Sequence, residues 1–284
     1  MTGNAASSRA VTNRIDARFA ALRAAGRTGL IPFVTAGDPD PQATVAILHA
    51  LVAAGADVVE LGVPFSDPMA DGPVIQRSSE RALGRGVGLR RVLEYVAEFR
   101  RTDVDTPVVL MGYLNPVEMF GAERFAQAAR EAGVDGVLLV DCPPEESAAL
   151  GSSLDGAGLR QIFLAAPTSQ GARLESLARR ARGYIYYVSF AGVTGADRIE
   201  LGDIEPRVAA LRKLSAAPVA VGFGVKEPAQ ASAIAAFADA VVVGSALVQR
   251  LHDAADPVAE ARAFLAPLRA ALDAVQLGSK RTSV

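Results

Sequence analysis

Short runs of Val, Ile and Leu recur along the chain at Leu30–Thr35, Asp57–Leu61, Pro107–Met111, Gly136–Val140, Gln161–Ala165, Tyr184–Ser189, Pro218–Gly222 and Ala240–Gly244. Each run is apolar at nearly every position rather than at every second one, the pattern of a parallel strand covered on both faces. Stretches rich in Ala, Leu and Arg with helical periodicity separate most of them. Strand alternating with helix predicts βαβ units. Eight such units, regularly spaced except for one wide gap after the second, fit a closed (β/α)8 TIM barrel better than a doubly wound sheet. A doubly wound nucleotide fold would carry G-x-G-x-x-G after its first strand, and Thr35-Ala36-Gly37-Asp38-Pro39 lacks that spacing. Asn13–Ala25 predicts an additional amphipathic helix ahead of the first strand, placed to close the bottom of the barrel. Residues 1–284 read as a single barrel domain, with about 1–10 and 278–284 as frayed ends.

The wide gap opens with Val63-Pro64-Phe65-Ser66-Asp67-Pro68-Met69-Ala70-Asp71-Gly72-Pro73, a Pro-rich and Asp-rich loop at the C-terminal end of a barrel strand, where barrel enzymes place their active sites. A second long loop, Phe190–Glu200, has the Gly and Thr content of a lid. Glu60 stands near the end of the second strand, on the same face as Val58. If that face points inward, its carboxyl loses hydration and its pKa rises, which suits a group that gives and takes protons near neutral pH. An ion pair with an Arg at the barrel rim is the other reading. Asp71 is open between catalysis and capping the helix that Gly72-Pro73 begins. Asp67 and Asp38, each before a proline, read as turn formers. Of the tyrosines in Tyr184-Ile185-Tyr186-Tyr187, alternation sends one set into the barrel.

Composition removes several functions. Half of the 284 residues are hydrophobic and 21% are charged, enough apolar material for a large core. A net charge of -2, from 29 basic and 31 acidic residues, offers no basic field to nucleic acid or an anionic membrane. No apolar run reaches membrane-spanning length, and the expectation is a soluble cytoplasmic protein. The one cysteine, Cys142, excludes an internal disulfide and reads as a small hydrophobe. Lys213, Lys226 and Lys280 all lie off the strands, which argues against Schiff-base chemistry. His49 and His252 fall in predicted helices with no ligand spacing, so no metal is expected. The last two strands end in Gly222-Phe223-Gly224 and Gly244-Ser245, the second opening a helix. Glycines at one barrel end, beside a helix N-terminus, predict a phosphate site.

Taken together, Glu60 through Pro73 closely resembles the signature of the tryptophan synthase α-subunit family. Phe33-Val34-Thr35-Ala36-Gly37-Asp38-Pro39, Gly112-Tyr113-Leu114-Asn115-Pro116, Ala191-Gly192-Val193-Thr194-Gly195 and Gly222-Phe223-Gly224 are similar to further family segments, in family order and over nearly the whole chain. The resemblance implies a lyase that cleaves indole-3-glycerol phosphate to indole and glyceraldehyde 3-phosphate in tryptophan biosynthesis. It implies no cofactor in this chain and a pyridoxal-phosphate β subunit as partner, in a heterotetramer of two α and two β chains, to which indole passes. By the same carry-over Glu60 and Asp71 are catalytic. Tyr186 stands near the glutamate, Phe33, Leu138, Leu164, Phe223 and Val242 line the indole pocket, and Gly195, Gly224, Gly244 and Ser245 bind phosphate. Thr194 meets Asp71 when the lid closes, and Asp67 and Asn115-Pro116 face the β subunit. The same motifs also suit a stand-alone lyase that releases free indole. A phosphate-binding barrel isomerase would share the phosphate site but place its acids at the ends of strands one and five, here Phe33-Val34-Thr35 and Leu164-Ala165-Ala166. A subunit that only bound the phosphate ligand to activate a partner would not need both carboxylates.

Overall fold

The computed structural model describes residues 13–188, 201–222 and 224–275. Eight strands, β1 (Gly29–Thr35), β2 (Val59–Gly62), β3 (Val108–Gly112), β4 (Gly136–Leu139), β5 (Arg160–Ala165), β6 (Ile185–Val188), β7 (Val219–Gly222) and β8 (Ala240–Val243), close in sequence order into a parallel barrel. The ring shuts where β1 pairs with β8, Ile31 opposite Val242. The helices described around it are α1 (Arg14–Ala24), α2 (Thr44–Ala53), α3 (Pro73–Gly84), α4 (Leu89–Phe99), α5 (Leu114–Phe120), α6 (Ala122–Ala132), α7 (Ala148–Gly156), α8 (Gly171–Arg180), α9 (Leu201–Leu214), α10 (Pro228–Ala235), α11 (Ser245–Asp253) and α12 (Pro257–Asp273). The wide gap after β2 holds two helices, α3 and α4, in place of one.

Both faces of the strands are buried, as their unbroken apolar pattern requires. Outward residues such as Val108, Leu110 and Ile185 pack under the helices. Inward residues Ile31, Val58, Val109, Leu138, Ile162, Tyr184, Ala220 and Val242 fill the barrel itself. Helix α1 plugs the lower end: Ile15, Phe19 and Leu22, spaced for one helical face, join that inner cluster. Asn13 caps the helix by accepting the Ile15 N–H at 2.9 Å.

The bottom is also pinned by carboxylates just before three strands. Asp57, Asp135 and Asp239 accept the backbone N–H of Leu30, Val108 and Val219 on a neighbouring strand, at 3.0, 2.9 and 2.9 Å. Each also meets arginine: Arg269 for Asp57, Arg14 and Arg100 for Asp135, Arg212 for Asp239. A buried carboxylate without such partners would be costly. Stability devices thus collect at the end opposite the long loops.

Candidate active site

Glu60 points inward on β2, in register between Phe33 of β1 and Val109 of β3. It is 0% exposed. Among the described residues no arginine is paired with it and the rim ion pair is not what holds it; the phenol of Tyr184 donates to its Oε1 at 2.6 Å, and its Oε2 has no hydrogen-bond partner among them. Burial raises its pKa to about 7, against the opposing effect of the Tyr184 hydrogen bond. Burial, and then the nearby Glu60 charge, push the Tyr184 ionisation well above its ordinary range, so this phenol remains a donor. The Phe19 ring of α1 lies 5.7 Å from the Tyr184 ring, so the bottom helix backs the group that holds Glu60.

Asp71 precedes α3, but the N-cap residue is Gly72 and no side chain caps the helix. The capping reading therefore fails. The Asp71 carboxylate instead accepts from the Tyr113 hydroxyl at 3.0 Å, and that hydroxyl accepts the Ala70 N–H at 3.0 Å. Gln76 fixes the loop from behind, donating to the carbonyls of Asp71 at 2.9 Å and Pro68 at 3.3 Å. Burial raises the Asp71 pKa and the Tyr113 bond opposes it. Phe65 stacks on Tyr113 with ring centroids 5.0 Å apart. A cleft bounded by Phe33, Thr35, Gly62, Asp71, Met111 and Tyr113 lies at the barrel mouth. The Phe33 ring covers Gly62 so closely that a Cβ there would come within 2.6 Å of it.

Tyr184 and Tyr186 are the inward tyrosines, packed with the inner cluster, and Tyr187 belongs to the outer core. Tyr186 is half-buried, and its ionisation is raised by burial first, then by the charges of Glu60 and Asp71, which places it near both carboxyls. Its hydroxyl lies directly over Gly222, where any Cβ would collide with it. Leu164 is also half-buried among the inner residues, whereas Leu138 and Val242 are buried. Two half-buried inner residues, Met111 and Val140, went unremarked in the sequence, although strand alternation from Val109 and Leu138 points to both.

At the far side of the mouth Gly244 precedes α11 with φ -120° and ψ -93°, and Ser245 begins the helix. Gly224 is exposed and has φ +56°, a conformation that glycine adopts freely. A Cβ on Gly244 would lie 3.7 Å from the Phe33 side chain, which also packs over Gly62. Helix N-terminal amides at this point suit a phosphate. Thr194, Gly195 and Phe223 lie outside the described residues.

The remaining candidates have structural partners. Asp38 is buried and held at both oxygens by Arg81, at 2.7 and 2.8 Å. Asp67 accepts from Ser66 in the loop. His49 stacks on Phe99, His252 is exposed on α11, and Cys142 is buried with its thiol pKa raised by burial. Among the described residues no three His, Cys, Asp or Glu side chains are placed to hold a metal ion. No helix among them is long and apolar enough to cross a membrane.

A family model described as tryptophan synthase alpha chain matches residues 19–274. The chain is 62% identical over 263 residues to the tryptophan synthase alpha chain of Laribacter hongkongensis, covering 92% of this chain and 100% of that one. It is 61% identical to that of Xanthomonas euvesicatoria, covering 92% and 98%. Among solved structures, subunit alpha of tryptophan synthase from Legionella pneumophila superposes with a TM-score of 0.88 at 45% identity, covering 93% of this chain and 99% of that one. Tryptophan synthase from M. tuberculosis in an aminoacrylate-bound form gives 0.83 at 36% identity, covering 92% and 99%.

Proposed function

The chain belongs to the tryptophan synthase alpha chain family, and from that premise we propose how its residues carry out the α reaction, the cleavage of indole-3-glycerol phosphate to indole and glyceraldehyde 3-phosphate. Glu60 is the proton donor. Its Oε1 is occupied as an acceptor by Tyr184, so the proton sits on Oε2, the oxygen without a partner among the described residues. Transfer of that proton to indole C3 turns the ring into an indolenine cation. The bond between C3 and the glycerol side chain then breaks, its electron pair returning to the ring. The adjacent hydroxyl loses its proton to the Glu60 carboxylate as the aldehyde forms, which restores the starting protonation state. Asp71 accepts a hydrogen bond from the indole N–H and stabilises the positive charge that develops there.

The apolar body of the substrate lies among Phe33, Leu138, Leu164, Val242, Tyr186 and Phe223. The backbone amides of Gly195, Gly224, Gly244 and Ser245 take the phosphate, with Thr194 meeting Asp71. The chain needs no cofactor of its own for this chemistry. It works as one cytoplasmic barrel domain beside a pyridoxal-phosphate β subunit in an assembly of two α and two β chains, with the Asp67 loop and Asn115-Pro116 toward that partner.

The observation that carries this reading is the fully buried Glu60 carboxyl, bonded at Oε1 by Tyr184 and free at Oε2 among the described residues, with burial raising its pKa to about 7. Indole release by the chain with a β partner tests it. Glu60→Gln and Asp71→Asn should each lower the rate by on the order of 10²–10⁴ while the protein remains folded. A rate unchanged in either variant would remove that residue from the mechanism.

A further inference from the structure

Outside the barrel, between α8 and α9, lies a cavity of about 200 Å³ that the lyase chemistry does not use. Ala166, Leu174, Ala210 and Leu211 form an apolar wall, the loop Ser169-Gln170-Gly171 borders one side, and Tyr187 and Arg207 add polar groups to the lining. Tyr187 alternates with the inward Tyr186 and so faces the helices. It is 2% exposed, and its hydroxyl is buried with no hydrogen-bond partner among the described residues. An unpartnered hydroxyl is costly to bury, and phenylalanine would fill the same space without that cost. Arg207 is exposed and donates one bond, from Nη1 to the Pro167 carbonyl at 2.8 Å. It meets no carboxylate within ion-pair distance among the described residues, so most of its donors face outward. Its charge also acts on Tyr187, drawing the phenol's ionisation down against the larger effect of burial.

We propose that this cavity is a second ligand site, for a small arylalkanoic acid or a carboxylate of like shape. The carboxylate sits on the Arg207 guanidinium and accepts from the Tyr187 hydroxyl, and the apolar body lies between Leu174 and Leu211. The guanidinium fork matches the two oxygens of a carboxylate. A bare inorganic anion would leave the apolar wall of Leu174, Ala210 and Leu211 uncovered. The site lies outside the barrel and stands or falls separately from the lyase reading.

3-Phenylpropionate is a suitable probe, titrated into the full chain and followed by calorimetry. Saturable binding at one site is expected, and indole-3-glycerol phosphate at saturation in a Glu60→Gln background should leave it in place. Arg207→Gln should weaken binding about tenfold or more, and Tyr187→Phe about fivefold. Tyr187→Phe should be at least as stable as the parent, because the hydroxyl that it removes has no partner among the described residues. 3-Phenylpropanol, which keeps the ring and lacks the anion, should bind at least about tenfold more weakly. Absence of saturable binding, equal affinity in the variants, equal affinity for the alcohol, or displacement by indole-3-glycerol phosphate would overturn the proposal.

Discussion

Glu60 is a carboxyl group that the fold keeps out of water, with a phenol as its hydrogen-bond partner and no cation paired with it among the described residues. That arrangement trades stability for reactivity, and the trade has a sign that can be checked. Unfolded, the group ionises near its ordinary value; folded, it holds its proton to about pH 7. Between those two values the unfolded state binds fewer protons, so folding stability falls as pH rises through the window and is restored below it. The full difference is about 3 kcal/mol. Glu60→Gln removes the titration, so in urea unfolding the variant should gain about 3 kcal/mol on the parent between pH ~5 and ~8. Parallel stability curves would show that Glu60 does not carry its proton to neutral pH. The inward face of Glu60 was legible in its own strand, from Val58-Val59-Glu60-Leu61. Its partner was not, because Tyr184 lies 124 residues away and only the closed barrel brings the two together. Asp71 is the same case at shorter range: its local sequence is that of a helix cap, and Tyr113, 42 residues on, claims the side chain instead.

Elements whose signal is local were read nearly to the residue. The eight apolar runs are the eight strands, and the expected Asn13–Ala25 helix is α1, Arg14–Ala24 with Asn13 as its cap. The apolar face of α1 could be seen in sequence because helical spacing alone defines it. The carboxylates at the barrel bottom gave no such signal. Asp135 in Val134-Asp135-Gly136 looks like an ordinary turn residue, yet it takes the Val108 N–H and pairs with Arg14 at 2.8 Å and Arg100 at 2.7 Å. Asp135 is 3% exposed, so removing it strands two arginines and a backbone N–H. Asp135→Ala should cost about 3–5 kcal/mol in chemical denaturation. Glu94→Ala, which breaks only the exposed Arg91–Glu94 pair, should cost about 0–1 kcal/mol. Similar losses from both would mean that the bottom carboxylates are no more than surface pairs. Because Asp135 lies at the opposite end from the catalytic cleft, the folded fraction of Asp135→Ala should retain the parent's rate.

At the scale of the molecule the barrel divides its work between its ends. The lower end holds the helix plug and the Asp–Arg pins, and the upper end holds Glu60 and the cleft that Asp71, Phe33 and Tyr113 line. The N-terminus of α11, opened by Gly244 and Ser245, offers backbone amides for the proposed phosphate site. With Glu60 donating a proton first, only its protonated form starts a turnover. The pH dependence of kcat/KM for indole release, measured with the β partner saturating, tests this account most directly. The rate should fall above a midpoint near the Glu60 pKa of about 7, approaching tenfold per pH unit, and should not fall as pH drops through that midpoint. A rate that instead rose through the same midpoint would make Glu60 the base in the first step and contradict the mechanism.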